Sequence, residues 1–284
     1  MPKRFSSSRS ALINQQRKWA AMVGLIADDR SYLPSVNENL RQSLSPIALQ
    51  SFTKGNGSEL KETLHRPAKM RALHSSAALV VNVFDYWTTG NTAPLVAALG
   101  LENEITSITF ESQFSTDLDG NPPNLDIALE LTSGKTVAIE SKFSEWLIPK
   151  LSKKKYFKDK YFPPSNDLWK QKNLAACQAL AIDIQNGSER FRYLDAPQLL
   201  KHSLGLATQC ADRFQLYYIY FDWPCSEAEL HHDEIKRYSE RVGEELCFRA
   251  FTYREFFHNL CSLPDPPDAE YINYLRARYF MNIL

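Results

Sequence analysis

Between residues 105 and 143 apolar side chains recur at every second position in three successive segments, and no other feature of the chain restricts its fold as strongly. Ile108, Phe110, Ser112 and Phe114 fall on one face of the first segment, with Thr109, Glu111 and Gln113 on the other. A turn cluster at 117–123 leads to a second strand over 124–131. There Leu125, Ile127, Leu129 and Leu131 oppose Asp126, Ala128 and Glu130. A third strand over 135–143 sets Val137, Ile139, Ser141 and Phe143 against Ala138, Glu140 and Lys142. Before this block the pattern is helical. Helices with loops at 33–34 and 54–58 fill 11–75, Ser75 or Ser76 caps an apolar helix to about 87, and a short helix follows at 93–99. After it come helices around 145–161, 168–186 and 196–209. The nearly unbroken apolar run 214–221 reads as a buried strand, followed by a helix at 226–242, a strand at 246–251 and two terminal helices. The order predicts a mixed α/β class, with a helical amino-terminal extension (1–75) before the main domain (76–284).

Composition narrows the class of function. The 284 residues carry 33 Lys and Arg against 33 Asp and Glu, so an overall polycation is excluded while a locally basic groove is not. With 44% hydrophobic and 12% aromatic residues the chain can bury a sizeable core. Five scattered cysteines without C-x-x-C spacing argue against a disulfide framework or structural zinc. No apolar run approaches the ~20 residues of a membrane helix, so a cytoplasmic protein without a membrane partner is expected. Residues 1–27 hold Lys3, Arg4, Arg9, Arg17 and Lys18 and no acid. They read as a basic arm entering a first helix, and the same composition also suits a transit peptide.

The candidate chemistry sits on the second and third strands. Thr132-Ser133-Gly134 suits a three-residue hairpin loop with a left-handed last residue. That loop places Leu131 across from Lys135 and therefore Asp126 across from Glu140, with Lys142 on the same face. A two-residue loop would send the two carboxylates to opposite faces. Facing carboxylates repel unless a cation lies between them, and Mg²⁺ takes one or two carboxylates plus water and phosphate oxygens. The Ser141 carbonyl would add a ligand, Glu111 would complete the acidic pocket, and the Lys142 ammonium would position a water. Such a set suits phosphodiester hydrolysis.

Pro123-Asn124-Leu125-Asp126, thirteen residues, then Glu140-Ser141-Lys142 resembles the PD-(D/E)XK nuclease signature of the restriction-endonuclease-like fold. The element order over roughly 76–222 is similar to that fold's core. The texts 73–84, Phe110-Glu111 and Thr252-Tyr253-Arg254-Glu255-Phe256-Phe257 look like a prokaryotic group of inferred restriction endonucleases. The resemblance implies a DNA endonuclease of restriction or phage-defence type that uses Mg²⁺, with Mn²⁺ as a substitute. It implies Asp126 and Glu140 as metal ligands and Lys142 as the catalytic lysine, with Glu111 in support. It also implies a homodimer where both strands are cut, and any modification methyltransferase on a separate chain. The family's name motif has Pro directly before Asp, whereas Asn124 and Leu125 intervene here.

Two further stretches bear on nucleic acid. Residues 142–172 hold nine lysines, Lys153, Lys154 and Lys155 among them, against three acids, with Trp146, Tyr156, Phe157, Tyr161, Phe162 and Trp169 interleaved. They suit a phosphate-neutralising groove or, alternatively, an exposed helix with core aromatics. Gln198, Lys201 and His202 share one helical face, and His202 stands where related nucleases place the Tyr of Gln-x-x-x-Tyr. His231-His232-Asp233 reads as part of a solvated helix without a metal role. The rival readings are a catalytically silent nucleic-acid-binding module, and a structural protein in which Glu140 and Lys142 pair on the surface. Convergence or splaying of Glu111, Asp126, Glu140 and Lys142 separates them.

Overall fold

The computed structural model describes residues 7–55, 57–151, 155–164 and 167–280. The chain opens with helices α1 (Ser8–Met22) and α2 (Pro46–Lys54), each started by a serine whose hydroxyl accepts a backbone N–H of the first turn. Lys3 and Arg4 of the basic arm lie outside the described residues. Helix α3 (Ser76–Phe84) is buried from Ala77 to Phe84, and Ser75 caps it by accepting the Ala78 N–H at 3.2 Å. Helix α4 (Ala93–Leu99) leads into strands β1 (Ile105–Gln113), β2 (Asn124–Leu131) and β3 (Thr136–Lys142). Helices α5 (Ala175–Asn186) and α6 (Ala196–Cys210) cross to β4 (Phe214–Tyr220). Helix α7 (Ser226–Leu246), strand β5 (Arg249–Thr252) and helices α8 (Tyr253–Cys261) and α9 (Ala269–Leu275) follow. No helix among the described residues is long and apolar enough to cross a membrane.

The described strands form one sheet in the order β1-β2-β3-β4-β5, antiparallel through β3 and parallel from there on. This is the mixed sheet of a restriction-endonuclease-like α/β fold. The hairpin loop is the three-residue one: the Gly134 N–H reaches Leu131 O at 2.8 Å and the Leu131 N–H reaches Lys135 O at 2.9 Å, with Gly134 at φ +74°. Its register pairs Ile127 with Ile139 and Leu129 with Val137, so Asp126 falls opposite Glu140. Leu125, Ile127, Leu129, Val137 and Ile139 are fully buried, each stabilising by about 1.5–3 kcal/mol, which holds this register against a slip.

The first helices and the last described turn pack against the rest of the fold. Phe52 of α2 stacks on Phe110 of β1 at 5.8 Å, and buried Arg278 donates to Asn39 O at 2.6 Å while lying 4.3 Å over the Trp19 ring. The text Thr252–Phe257 is a capping box: Thr252 Oγ1 accepts the Glu255 N–H at 3.0 Å and Glu255 Oε2 accepts the Thr252 N–H at 2.6 Å.

Three expectations need correction. Residues 145–161 do not form a helix. Their described part is irregular, with single 3₁₀ turns at Glu145–Leu147 and Asp159–Tyr161. Its aromatics pack inward in a local cluster around Trp169, where a continuous helix would have scattered them around its axis. The helix expected from residue 168 begins at Ala175. And His231 is not solvated: it is fully buried, stacked on Trp146 at 4.6 Å and 3.0 Å from the Tyr218 hydroxyl through Nε2.

Candidate active site

Regular pairing between β2 and β3 stops at Ile127 and Ile139, and the strands part just beyond. The Ser141 N–H, left without a strand partner there, donates instead to Asp126 Oδ2 at 2.7 Å. That bond turns the Asp126 carboxylate toward β3. Alternation along β3 then sends Glu140 and Lys142 to the face covered by α6. Ser141 goes to the other face, where its hydroxyl meets the Tyr253 hydroxyl of α8 at 2.7 Å.

Glu140 is the most enclosed acid of the group, 1% exposed, and it forms an ion pair with the Lys142 ammonium. Lys142 is held from its other side by Gln198 Oε1 at 3.3 Å. His202, one turn further along α6, brings Nε2 to 3.1 Å from Glu140 Oε2, without hydrogen-bond alignment. Gln198 and His202 therefore converge on the two β3 residues. Lys201 points elsewhere, donating to Tyr156 O at 3.3 Å beside the Phe157 ring.

Glu111 completes a row across three strands, because the β1–β2 register places it opposite Asp126. Its backbone lies in the left-handed region at φ +48°, a conformation costing about 1–2 kcal/mol for such a residue. Its carboxylate accepts from the Asn124 side-chain amide. Asn124, which interrupts the name motif, thus serves to hold the row's outer acid. Glu59, missed in the sequence, stands near Glu111 and is paired with Lys69 at 3.2 Å. It lies on an irregular stretch with no period to place it.

The charges divide unequally. Burial and then the Glu140 charge push the Asp126 carboxyl well above the usual carboxylate range. Burial also acts against the Glu140 charge, but Lys142 and His202 outweigh it and bring that carboxyl down to about 2. Lys142 is disfavoured as a cation by burial, yet Glu140 and Asp126 overcome this and fix its proton firmly. Burial raises both Glu111 and Glu59, with Asn124 and Lys69 respectively opposing it.

A divalent cation fits these residues. Glu140 Oε2 is buried with no hydrogen-bond donor of its own, facing a second carboxylate whose repulsion a cation would relieve. Among the described residues no three His, Cys, Asp or Glu side chains converge as a ready-made ligand set. Two carboxylates would suit a cation that takes one or two such ligands and completes its shell with water and phosphate oxygens.

Two cavities that share Pro123, Tyr156 and Lys201 adjoin here, and Gln198 lines one of them. One of about 520 Å³ is lined by Lys150, Tyr156, Asp195, Gln198 and Lys201, and one of about 590 Å³ by Lys155, Lys158, Lys160 and Tyr161. Lys155 is exposed and paired with Asp159 at 2.7 Å. Lys153 and Lys154 lie outside the described residues.

Residues 29–280 match the family model described as Restriction Endonuclease associating with ARP. No curated protein and no solved structure matches the chain.

Proposed function

The chain belongs to the family of restriction endonucleases associating with ARP, and on that premise we propose that it is a Mg²⁺-dependent DNA endonuclease acting through Asp126, Glu140 and Lys142. The observation carrying this reading is the burial of the Glu140–Lys142 pair opposite Asp126. A pair made only for solubility would sit in water, where it contributes little. Enclosing three charges costs several kcal/mol, which a site for a cation and a phosphate would offset.

In this reading Asp126 and Glu140 hold the metal, with the Ser141 carbonyl as a further ligand and Glu111 supporting from the outer strand. A bound Mg²⁺ or Mn²⁺ lowers the pKa of a water and offsets charge on the phosphate. Lys142, fixed between Glu140 and Gln198, acts as a hydrogen-bond donor to the water or the scissile phosphate, since its proton is firmly held. Lys155 and Lys201 grip the strand by its phosphates, and Gln198 joins the cavity it shares with Lys201 to Lys142. Cutting both strands would take two copies of the chain, and a protecting methyltransferase would be a separate polypeptide.

The test is cleavage of plasmid and linear DNA, with and without base modification, in Mg²⁺, Mn²⁺ and EDTA by wild type and Glu140→Ala. Cutting that needs metal and disappears in the variant is the expected result. Cutting that survives in Glu140→Ala would sink the site assignment. Salt-dependent binding without any cutting would make the chain a silent DNA-binding module.

A further inference from the structure

A polar cavity beside the first helix takes no part in the site above. It measures about 540 Å³, and its walls include Arg9 and Arg17 of α1, Asp29, Arg30 and Tyr32 of the following loop, and His74 just before α3. Three guanidinium groups thus face one carboxylate. Arg17 is held by uncharged acceptors, Asp28 O at 3.0 Å, Asp29 O at 3.4 Å and Ser31 Oγ at 3.0 Å, which orient its fork and leave its charge uncancelled. Arg30 stands 3.8 Å from an Asp28 carboxylate already engaged by the N–H groups of Arg30 and Tyr32.

Two nitrogens on the cavity residues, Arg9 Nε and His74 Nδ1, are buried and have no hydrogen-bond partner among the described residues. An unpaired buried polar atom costs about 1–3 kcal/mol, and native proteins normally supply a partner. The three guanidinium groups on the cavity walls suit an anion with several acceptor oxygens. Burial and the Arg9 charge hold the His74 ring toward its neutral form.

The cavity also has a place relative to the scissile site. Helix α1, which carries Arg9 and Arg17, packs against the turn Glu145–Leu147 that follows β3. The cavity therefore lies on the side of α1 that neighbours the end of β3 carrying Lys142. We propose that it is a second phosphate site, taking a backbone phosphate of the same DNA whose scissile phosphate meets Asp126 and Glu140. The proposal rests on the nuclease reading for its choice of phosphate source. Guanidinium forks match phosphate oxygens in pairs, and such contacts set position without reading sequence. The amino-terminal helix would thereby add a grip on the duplex beside the cutting centre.

The test compares the full chain with Arg9→Gln/Arg30→Gln, measuring DNA affinity against salt in EDTA so that nothing is cut. The variant should bind more weakly, with the slope of log K against log salt shallower by about 0.9 for the one phosphate lost. Cleavage at saturating DNA should be unchanged. Arg30→Gln alone, on an exposed side chain, carries the test if the double variant fails to fold. An unchanged affinity and slope in a variant of wild-type stability overturns the proposal.

Inorganic phosphate, titrated while the His74 ring resonances are followed by NMR, separates the sources. Shifts that vanish in the variant while the DNA slope stays the same would make this a pocket for free phosphate and overturn the DNA assignment. Should the wild type bind no DNA, the nuclease reading fails by itself. A phosphate pocket then survives only if phosphate moves His74 in wild type and not in the variant.

Discussion

The β2–β3 hairpin and the segment that follows it, residues 143–172, are neighbours in sequence and opposites in construction. The hairpin is regular, paired and buried, and its one polar row is fixed by a three-residue turn and a ladder of apolar contacts. The described residues of the segment form only single 3₁₀ turns. Trp146, Phe157, Tyr161 and Trp169 anchor it inward while Lys155 and Lys158 stand in water. Stiff strands suit groups that must meet reacting atoms within a fraction of an ångström. A loop pinned at its aromatics and exposed at Lys155 and Lys158 suits a grip on phosphates, which tolerates looseness.

Substitutions that keep the two roles apart sharpen this contrast. Glu140→Gln should have the largest effect, a loss of about 10³-fold or more in cleavage rate with DNA affinity retained, measured by single-turnover kinetics. Lys155→Gln/Lys158→Gln/Lys160→Gln should do the reverse. The salt slope of binding should flatten by about 0.9 per lysine that contacts a phosphate, with the rate at saturating DNA unchanged. A rate that falls with the lysines, or an affinity that falls with Glu140, would break the division.

Helix α6 ties the two regions together, because it brings Gln198 and His202 to the hairpin and Lys201 to the segment. Its approach depends on Gly205. A Cβ there would stand 2.4 Å from Phe114 O, so the helix lies directly against backbone. Gly205→Ala should cost about 1–3 kcal/mol in a urea melt and lower the cleavage rate through displacement of Gln198 and His202.

The hand-over point between the regions is Trp146, whose indole N–H bonds Phe221 O at 2.9 Å and whose ring stacks on His231. Burial first, then the charges of His232 and Lys150, bring the His231 imidazole down to about 3. The unfolded chain titrates near 6.5, so it binds more protons than the folded chain between those values. Stability from the neutral ring is therefore complete above pH 6.5 and is lost as pH falls toward 3, with a limiting slope of about 1.4 kcal/mol per pH unit. Melts of His231→Gln should show a flatter acid limb than wild type.

What could be read from the sequence follows the same division. The facing of Asp126 and Glu140 was legible because strand period and the Thr132-Ser133-Gly134 turn are local, and together they set the register. The Ser75 cap was legible for the same reason. The partnership of Glu140 with His202 spans 62 residues and depends on how α6 lands on the sheet, so only the shared helical face of Gln198 and His202 was legible. Glu59 had no periodic context to mark it. The lysine-rich segment misled because it carries no strand period, yet a helix would scatter its aromatics around the axis, and the chain buries those rings from an irregular backbone instead. His231 looked solvated beside His232 and Asp233, and adjacent helical positions face different surroundings.

The central claim, that Asp126 and Glu140 form a divalent-cation site, is tested most directly by calorimetric titration of Mn²⁺ into the full chain and into Asp126→Asn/Glu140→Gln. The account predicts saturable binding by the wild type and its loss in a variant that melts no lower. Equal binding by both proteins would contradict it.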